Sequence, residues 1–222
     1  MKRQVIETAD GSKTLFIPDM NEQYHSVNGA RTESEYVFLK QGYLHHSSES
    51  VVVFEVGFGT GLNALLTALK AEEQKRPTKF ISIEKYPIEV SEIQNLNYGK
   101  QISEKADVLF KKLHDAAWNE TTKISDYFTL HKIQADLKLL SFDNYEHFDV
   151  IYFDAFAPDK QPQLWEPEIF ERIYNACNEG AIFVTYSAKG VIRRQLATTG
   201  FVMERLPGPP GKRQMLRGTK LS

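Results

Sequence analysis

The chain has 222 residues, 41% hydrophobic and 25% charged, with a net charge of −2; this is the profile of an ordinary globular protein of one domain and a modest extension, not of a uniformly basic nucleic-acid binder. A lone cysteine, Cys177, excludes an internal disulfide, and no run of about 18 apolar residues is present to span a membrane. The N-terminal residues lack an apolar stretch, so no secretory signal is expected and the cytoplasm is the expected location.

Val5, Ile6 and Thr8 precede Asp10-Gly11, and Thr14 to Ile17 follow, which predicts a hairpin closed by a type I′ turn. Residues 18–32 are polar and loop-like, and 34–39 predict a short helix. Val51–Val56 is a continuous apolar run, as expected of a strand covered on both faces. A glycine turn follows, and Leu62, Leu65, Leu66 and Leu69 then recur at helical spacing. Further strands are predicted at 80–84, 128–134, 148–153 and 181–186, with helical stretches over about 88–117, a helix stopping at Gly180, and another at 189–198. Residues 201–206 and 213–216 complete the pattern as two last strands. Alternating strands and helices predict an α/β fold: a doubly wound, mostly parallel, seven-stranded sheet with an N-terminal hairpin extension. Ligands of such sheets bind beyond the carboxyl ends of the strands.

Four features lie at those ends. In Glu55-x-Gly57-x-Gly59-x-Gly61 the glycines let the backbone turn sharply and approach a ligand. The spacing differs from the dinucleotide pattern G-x-G-x-x-G and suits a ligand with an ammonium and no phosphate; a purely structural turn is the alternative. Glu84 ends the next strand, where a carboxylate can accept both ribose hydroxyls, a helix-capping or surface acid being the alternative. Asp136 follows the third strand and is placed to accept from an exocyclic amine of adenine, or to cap a short helix at 137–141. Asp154 ends the fourth strand, beside the first in a doubly wound order, facing a bound substrate or satisfied by loop amides. A ribose, an adenine and a zwitterionic tail describe S-adenosylmethionine better than NAD.

The run Glu55-Val-Gly-Phe-Gly-Thr-Gly-Leu-Asn63 resembles motif I of the class I, Rossmann-like methyltransferases. More narrowly, the chain resembles the methyltransferase domain of the tRNA 5-methylaminomethyl-2-thiouridine biosynthesis (MnmC) family. Tyr24-His-Ser26 with Glu33–Leu39, Asp154-Ala-Phe-Ala-Pro158 with Pro162–Trp165 and Phe170, Thr185–Arg194, and Gly211–Leu216 all match that family, so the likeness covers nearly the whole chain. Gln161-Pro162 and Leu164-Trp165 depart from the family's usual Asn-Pro and Met-Trp, and Ala188-Lys189-Gly190 adds a lysine that can alter substrate contacts. The resemblance implies a hairpin and cap extension over residues 1–48 and an S-adenosylmethionine-dependent methyltransferase domain over 49–222. It implies N-methylation of the 5-aminomethyl group of (2-thio)uridine at the tRNA wobble position. It also implies that the FAD-dependent oxidase fused in full-length relatives would be a separate partner here.

An alkylammonium has a pKa of about 10 and must lose a proton before it attacks; Asp154 is the expected catalytic carboxylate, as base or as orienter. Tyr24 and Ser26 are expected to hold the cofactor's carboxylate or line the substrate entrance. Phe156, Trp165 and Tyr186 lie near strand ends and are placed to stack an extruded base, or to pack in the core. From residue 189 onward Lys189, Arg193, Arg194, Arg205, Lys212, Arg213, Arg217 and Lys220 stand against one acid, Glu204. Lys189, Arg193, Arg194, Lys212 and Arg213 are the expected tRNA contacts, a solvated basic face being the alternative. The six histidines and Cys177 show no metal-ligand spacing, so no metal is expected. A monomer is expected. Two other functions fit the same residues: an aminopropyl transferase resembling the polyamine synthases, and a non-catalytic tRNA- or nucleotide-binding protein.

Overall fold

Short apolar runs at the N-terminus build a small antiparallel sheet of β1 (Gln4–Glu7), β2 (Lys13–Ile17) and β3 (Glu22–Gln23). The structure is a computed structural model and describes residues 2–221. Glu7 pairs with Lys13, so the hairpin connection is Thr8–Ser12 and not a two-residue Asp-Gly turn. A type I′ turn needs positive φ at both central residues, and of Asp10 and Gly11 only the glycine has it, at +78°. The Asp10 carboxylate instead accepts from Ser12 N (3.0 Å) and Thr32 N (2.9 Å), which fastens the hairpin to the helix that follows.

That helix, α1 (Ala30–Ser34), runs directly into a π-helical segment, Glu35–Tyr43, so it extends at both ends beyond the predicted 34–39. Its last turn is wide, with Leu44 N–H donating to the Leu39 carbonyl. Val37, Phe38, Leu39 and Tyr43 are buried. Gly42 permits the contact with the sheet: a Cβ there would lie 2.9 Å from Val184 and 3.0 Å from Tyr152.

The main sheet contains β4 (Val51–Val56), β5 (Thr78–Glu84), β6 (Thr121–Lys123), β7 (Phe128–Gln134), β8 (Phe148–Phe153), β9 (Cys177–Thr185), β10 (Phe201–Pro207) and β11 (Gln214–Lys220). Their order is β10-β11-β9-β8-β4-β5-β7-β6. Strands β9, β8, β4, β5 and β7 are parallel; β10, β11 and β6 run antiparallel to their neighbours. Strand β6 is one more than the seven expected. It is short and polar, and lies at the sheet edge beside β7.

Side chains alternate between two apolar layers. Val51, Val53, Phe80 and Leu130 join the layer of the π-helical segment, α2 (Leu62–Gln74), α3 (Val90–Ile93), α4 (Tyr98–Ile102) and α5 (Glu104–Asp115). Phe54, Val56, Ile81 and Ile133 join that of α6 (Pro167–Asn175) and α7 (Gly190–Thr199). The helix expected to stop at Gly180 ends at Asn175. Gly180 lies inside β9 with φ +78°, in the stretch where the register with β8 slips. Residues 137–141 form a turn and not a helix, closed by Lys138 N–H donating to Asp136 Oδ1 (3.0 Å). Among the described residues no helix is long and apolar enough to cross a membrane.

One buried cation couples the sheet to a functional loop. Lys132 on β7 is 1% exposed, and its Nζ donates to the carbonyls of Leu113 (2.9 Å) and His114 (3.0 Å) at the end of α5. His114 Nε2 in turn donates to the Thr60 carbonyl in the glycine loop (3.2 Å). Burial lowers the Lys132 pKa to about 8. Lys132→Met leaves two carbonyls without their charged donor, and a loss of about 2 kcal/mol is expected in urea unfolding.

Candidate active site

The carboxyl ends of β4, β5, β7, β8 and β9 open into one cavity of about 420 Å³. It lies where the chain reverses direction across the sheet, between β4 and β8. The glycine loop forms its floor. Gly57 (φ +92°) and Gly59 (φ +48°) adopt left-handed backbone. A Cβ at Gly57 would lie 3.0 Å from the Asp154 carbonyl, and one at Gly59 3.1 Å from the Tyr24 ring, so both positions need the bare backbone. Gly61 caps α2 and is not among the lining residues.

Three strand ends contribute a carboxylate each. Glu84 Oε2 accepts from Gly59 N (3.2 Å) and Oε1 from Tyr86 N (2.9 Å), which fixes the group against the glycine loop. Both oxygens keep lone pairs for further donors. Asp136 accepts from Lys138 N and from Lys85 Nζ (2.8 Å), so it closes a turn and also lines the cavity. The Asp154 carboxylate accepts from Asn63 Nδ2 (2.8 Å). Burial, reinforced by the nearby Glu33 carboxylate, pushes its pKa up to about 8; the Asn63 amide and Lys212 oppose that rise.

The N-terminal extension supplies the wall opposite. Tyr24 lies over Gly59, edge-on to Phe156 with ring centroids 5.0 Å apart. Its hydroxyl accepts from Arg3 Nε (3.0 Å), and Arg3 also reaches Glu92 (2.9 Å) and the Tyr86 carbonyl (3.1 Å). Ser26 lines the cavity and donates its backbone N–H to Glu33 Oε2 (2.9 Å).

Of the residues singled out from the sequence, Tyr24, Ser26, Gly57, Gly59, Glu84, Asp136, Asp154, Phe156, Tyr186 and Lys212 line this cavity. Glu55 does not. It is fully buried, accepts from Ser82 Oγ (2.6 Å), and burial raises its pKa well above the usual carboxylate range. Trp165 is also buried, and its indole N–H donates to the Phe156 carbonyl (2.8 Å), so it supports the Asp154–Pro158 loop from behind. Lys189 pairs with Asp159 outside the cavity. Arg193 and Arg194 lie on α7, and Arg213 is exposed beside Lys212.

Other lining residues carried no single-residue signal. Glu33, Asn63 and His25 line the cavity. Glu33 and Asn63 fall within family-like runs, but nothing in their spacing marks the contacts they make. His25 Nε2 bonds Thr60 Oγ1 (2.7 Å), and burial lowers its pKa to about 4, so it is a neutral support for the loop. Among the described residues no three His, Cys, Asp or Glu side chains are grouped to hold a metal ion.

The donor set fits S-adenosylmethionine: a bare-backbone loop, a carboxylate with free lone pairs at the second strand end, and further acids at the third and fourth. A family model described as S-adenosyl-L-methionine-dependent methyltransferase matches residues 97–221. The tRNA 5-methylaminomethyl-2-thiouridine biosynthesis bifunctional protein MnmC of Pseudoalteromonas translucida (strain TAC 125) is 30% identical, the match covering 90% of this chain and 34% of that protein. The chain spans about a third of the length of the curated relatives it matches. The crystal structure of MnmC2 from Aquifex aeolicus superposes with a TM-score of 0.82 at 25% identity, covering all of this chain and 72% of that one. Spermidine synthase from Thermotoga maritima shares the fold alone, with a TM-score of 0.60 at 15% identity, over 100% of this chain and 75% of that one. The chain belongs to the S-adenosyl-L-methionine-dependent methyltransferases, and S-adenosylmethionine is its cofactor.

Proposed function

We propose that the chain methylates the 5-aminomethyl group of (2-thio)uridine at the wobble position of tRNA, giving the 5-methylaminomethyl product. The observation that carries this is Asp154, a carboxyl with a raised pKa, in the same cavity as the glycine loop and Glu84. The names of the MnmC relatives support the substrate.

The cofactor supplies a methyl group already activated on a sulfonium. The protein's tasks are alignment and proton management. Glu84 would hold the ribose hydroxyls and Asp136 the adenine amine. Gly57 and Gly59, with Tyr24 and Ser26, would hold the amino-acid end. Asp154 takes the proton that the amine must lose before it attacks. With its pKa near 8, the carboxylate is a far better match for an amine of pKa about 10 than an ordinary aspartate would be. Phe156 and Tyr186 offer ring faces to an extruded base.

Phosphate contacts fall to the arginines near α7. The guanidiniums of Arg194 and Arg205 lie 3.3 and 3.8 Å from the point a Cβ at Gly190 would occupy, which gathers two cations at the start of that helix. By contrast, Arg217 bonds Glu204 and Gln41, and Lys220 bonds the carbonyls of Tyr174 and Cys177, so neither is free for a partner.

The test is methyl transfer from labelled cofactor to tRNA lacking only the final methyl, alongside aminopropyl transfer to putrescine. Label in the wobble nucleoside is the expected result. Activity on putrescine alone, or tRNA binding without transfer, defeats the proposal. If Arg193, Arg194, Arg205 and Arg213 each neutralise one phosphate, the logarithm of tRNA affinity should fall against log salt with a slope of about −3. Arg194→Ala with Arg205→Ala should bring that slope near −1.5.

A further inference from the structure

We propose that the Glu33 carboxylate and the Tyr186 ring form the subsite that receives the substrate's alkylammonium, and that the ammonium of Lys212 holds this subsite in the free protein until the substrate displaces it. The inference rests on the amine-substrate reading above and specifies where the amine docks.

Lys212 sits in the connection between β10 and β11 and reaches back to pair with Glu33 on α1, 179 residues earlier. Its Nζ lies 4.0 Å from the centroid of the Tyr186 ring. The Glu33 side chain is 7% exposed and that of Lys212 30%, so the acid is embedded while the cation has a route out. Glu33 is also held by the Ser26 N–H, so it stays in place when the cation leaves. Glu22, Glu33, Asp154 and Tyr186 line the same cavity, and burial, with the charges of those three acids, raises the pKa of the Tyr186 phenol.

A lysine side chain and a 5-aminomethyl substituent end in the same group, a primary ammonium on a methylene. Exchanging one for the other conserves the charge of the site. A buried carboxylate left without a cation is costly, so Lys212 keeps Glu33 compensated until a like cation arrives. A neutral 5-substituent cannot make the exchange, because it would leave Glu33 unpaired. An acidic one meets the Glu33 carboxylate as a like charge. The subsite therefore selects a cationic amine before any methyl is moved.

The test compares binding of 5-aminomethyluridine and of its neutral counterpart 5-hydroxymethyluridine to the full chain, by calorimetry. In K212M the amine should bind roughly tenfold tighter, in E33Q roughly tenfold more weakly, and the hydroxymethyl nucleoside should change by less than about twofold in either. An amine bound equally or more weakly by K212M overturns the proposal, because Lys212 would then be a neighbour of the substrate and not its stand-in. A second arm uses no nucleoside and no methyl donor. The melting temperature of K212M should rise by several degrees in ethylammonium chloride over equal potassium chloride, while wild type and K212R should not respond. Absence of that rise overturns the subsite whatever the substrate is. Methyl transfer to tRNA without it defeats the subsite alone, and ethylammonium uptake without transfer defeats the substrate assignment alone.

Discussion

Asp154→Asn is expected to lower the methyl-transfer rate by about 10²- to 10⁴-fold at saturating cofactor and tRNA. Asparagine keeps an oxygen for Asn63 Nδ2, so the loop geometry should survive and the loss should fall on the rate constant, not on cofactor affinity. The pH dependence adds an independent signature. The folded-state pKa of Asp154 is about 8, well above an unfolded aspartate's, so the fold favours the protonated form. The base form accumulates as pH rises through about 8, and the single-turnover rate should climb over the same range; in the variant that inflection should vanish. Stability runs the opposite way. The folded chain binds the extra proton between the two pKa values, so this group's contribution is full below about pH 4 and is lost as pH rises through about 8. Asp154→Asn should therefore gain stability relative to wild type across that window. An unchanged turnover would remove Asp154 from the chemistry.

Glu84→Gln is expected to weaken S-adenosylmethionine binding by about 30- to 100-fold, since hydrogen bonds to a charged acceptor are worth roughly 1.5–3 kcal/mol each. The substitution has two effects. It removes the charge proposed to face the ribose. It also turns an amide N–H toward either Gly59 N or Tyr86 N, both of which are donors to the native carboxylate. Calorimetry with S-adenosylmethionine and S-adenosylhomocysteine measures the loss, which should be the same for both because they share the nucleoside. A change below about threefold would place the ribose elsewhere.

Strands β4, β7 and β8 are legible to the residue, because each is a continuous apolar or alternating run. Strand β6 is not: Thr121-Thr-Lys has neither length nor alternation, and exists because β7 offers it a ladder. Gly180 reads as a helix stop, but its positive φ serves an irregular strand. The Asp-Gly pair reads as a tight hairpin because the claims of Thr32 on Asp10 come from tertiary structure. The site divides in the same way. Glu84, Asp136 and Asp154 are legible because each terminates an apolar strand in a fold whose ligands bind at strand ends. The pairing of Glu33 with Lys212 is invisible in one dimension, since it depends on α1 meeting the β10–β11 connection at the cavity. Much of the basic excess after residue 189 also turns inward: Arg217 and Lys220 fasten β10, β11 and α6 together.

Arg3, just ahead of β1, bonds Tyr24, Glu92 and the Tyr86 carbonyl and so pins the N-terminal sheet to the rim of the cavity. One guanidinium thereby steadies both the ring that roofs the glycine loop and the turn that follows Glu84, and its loss would loosen the two together.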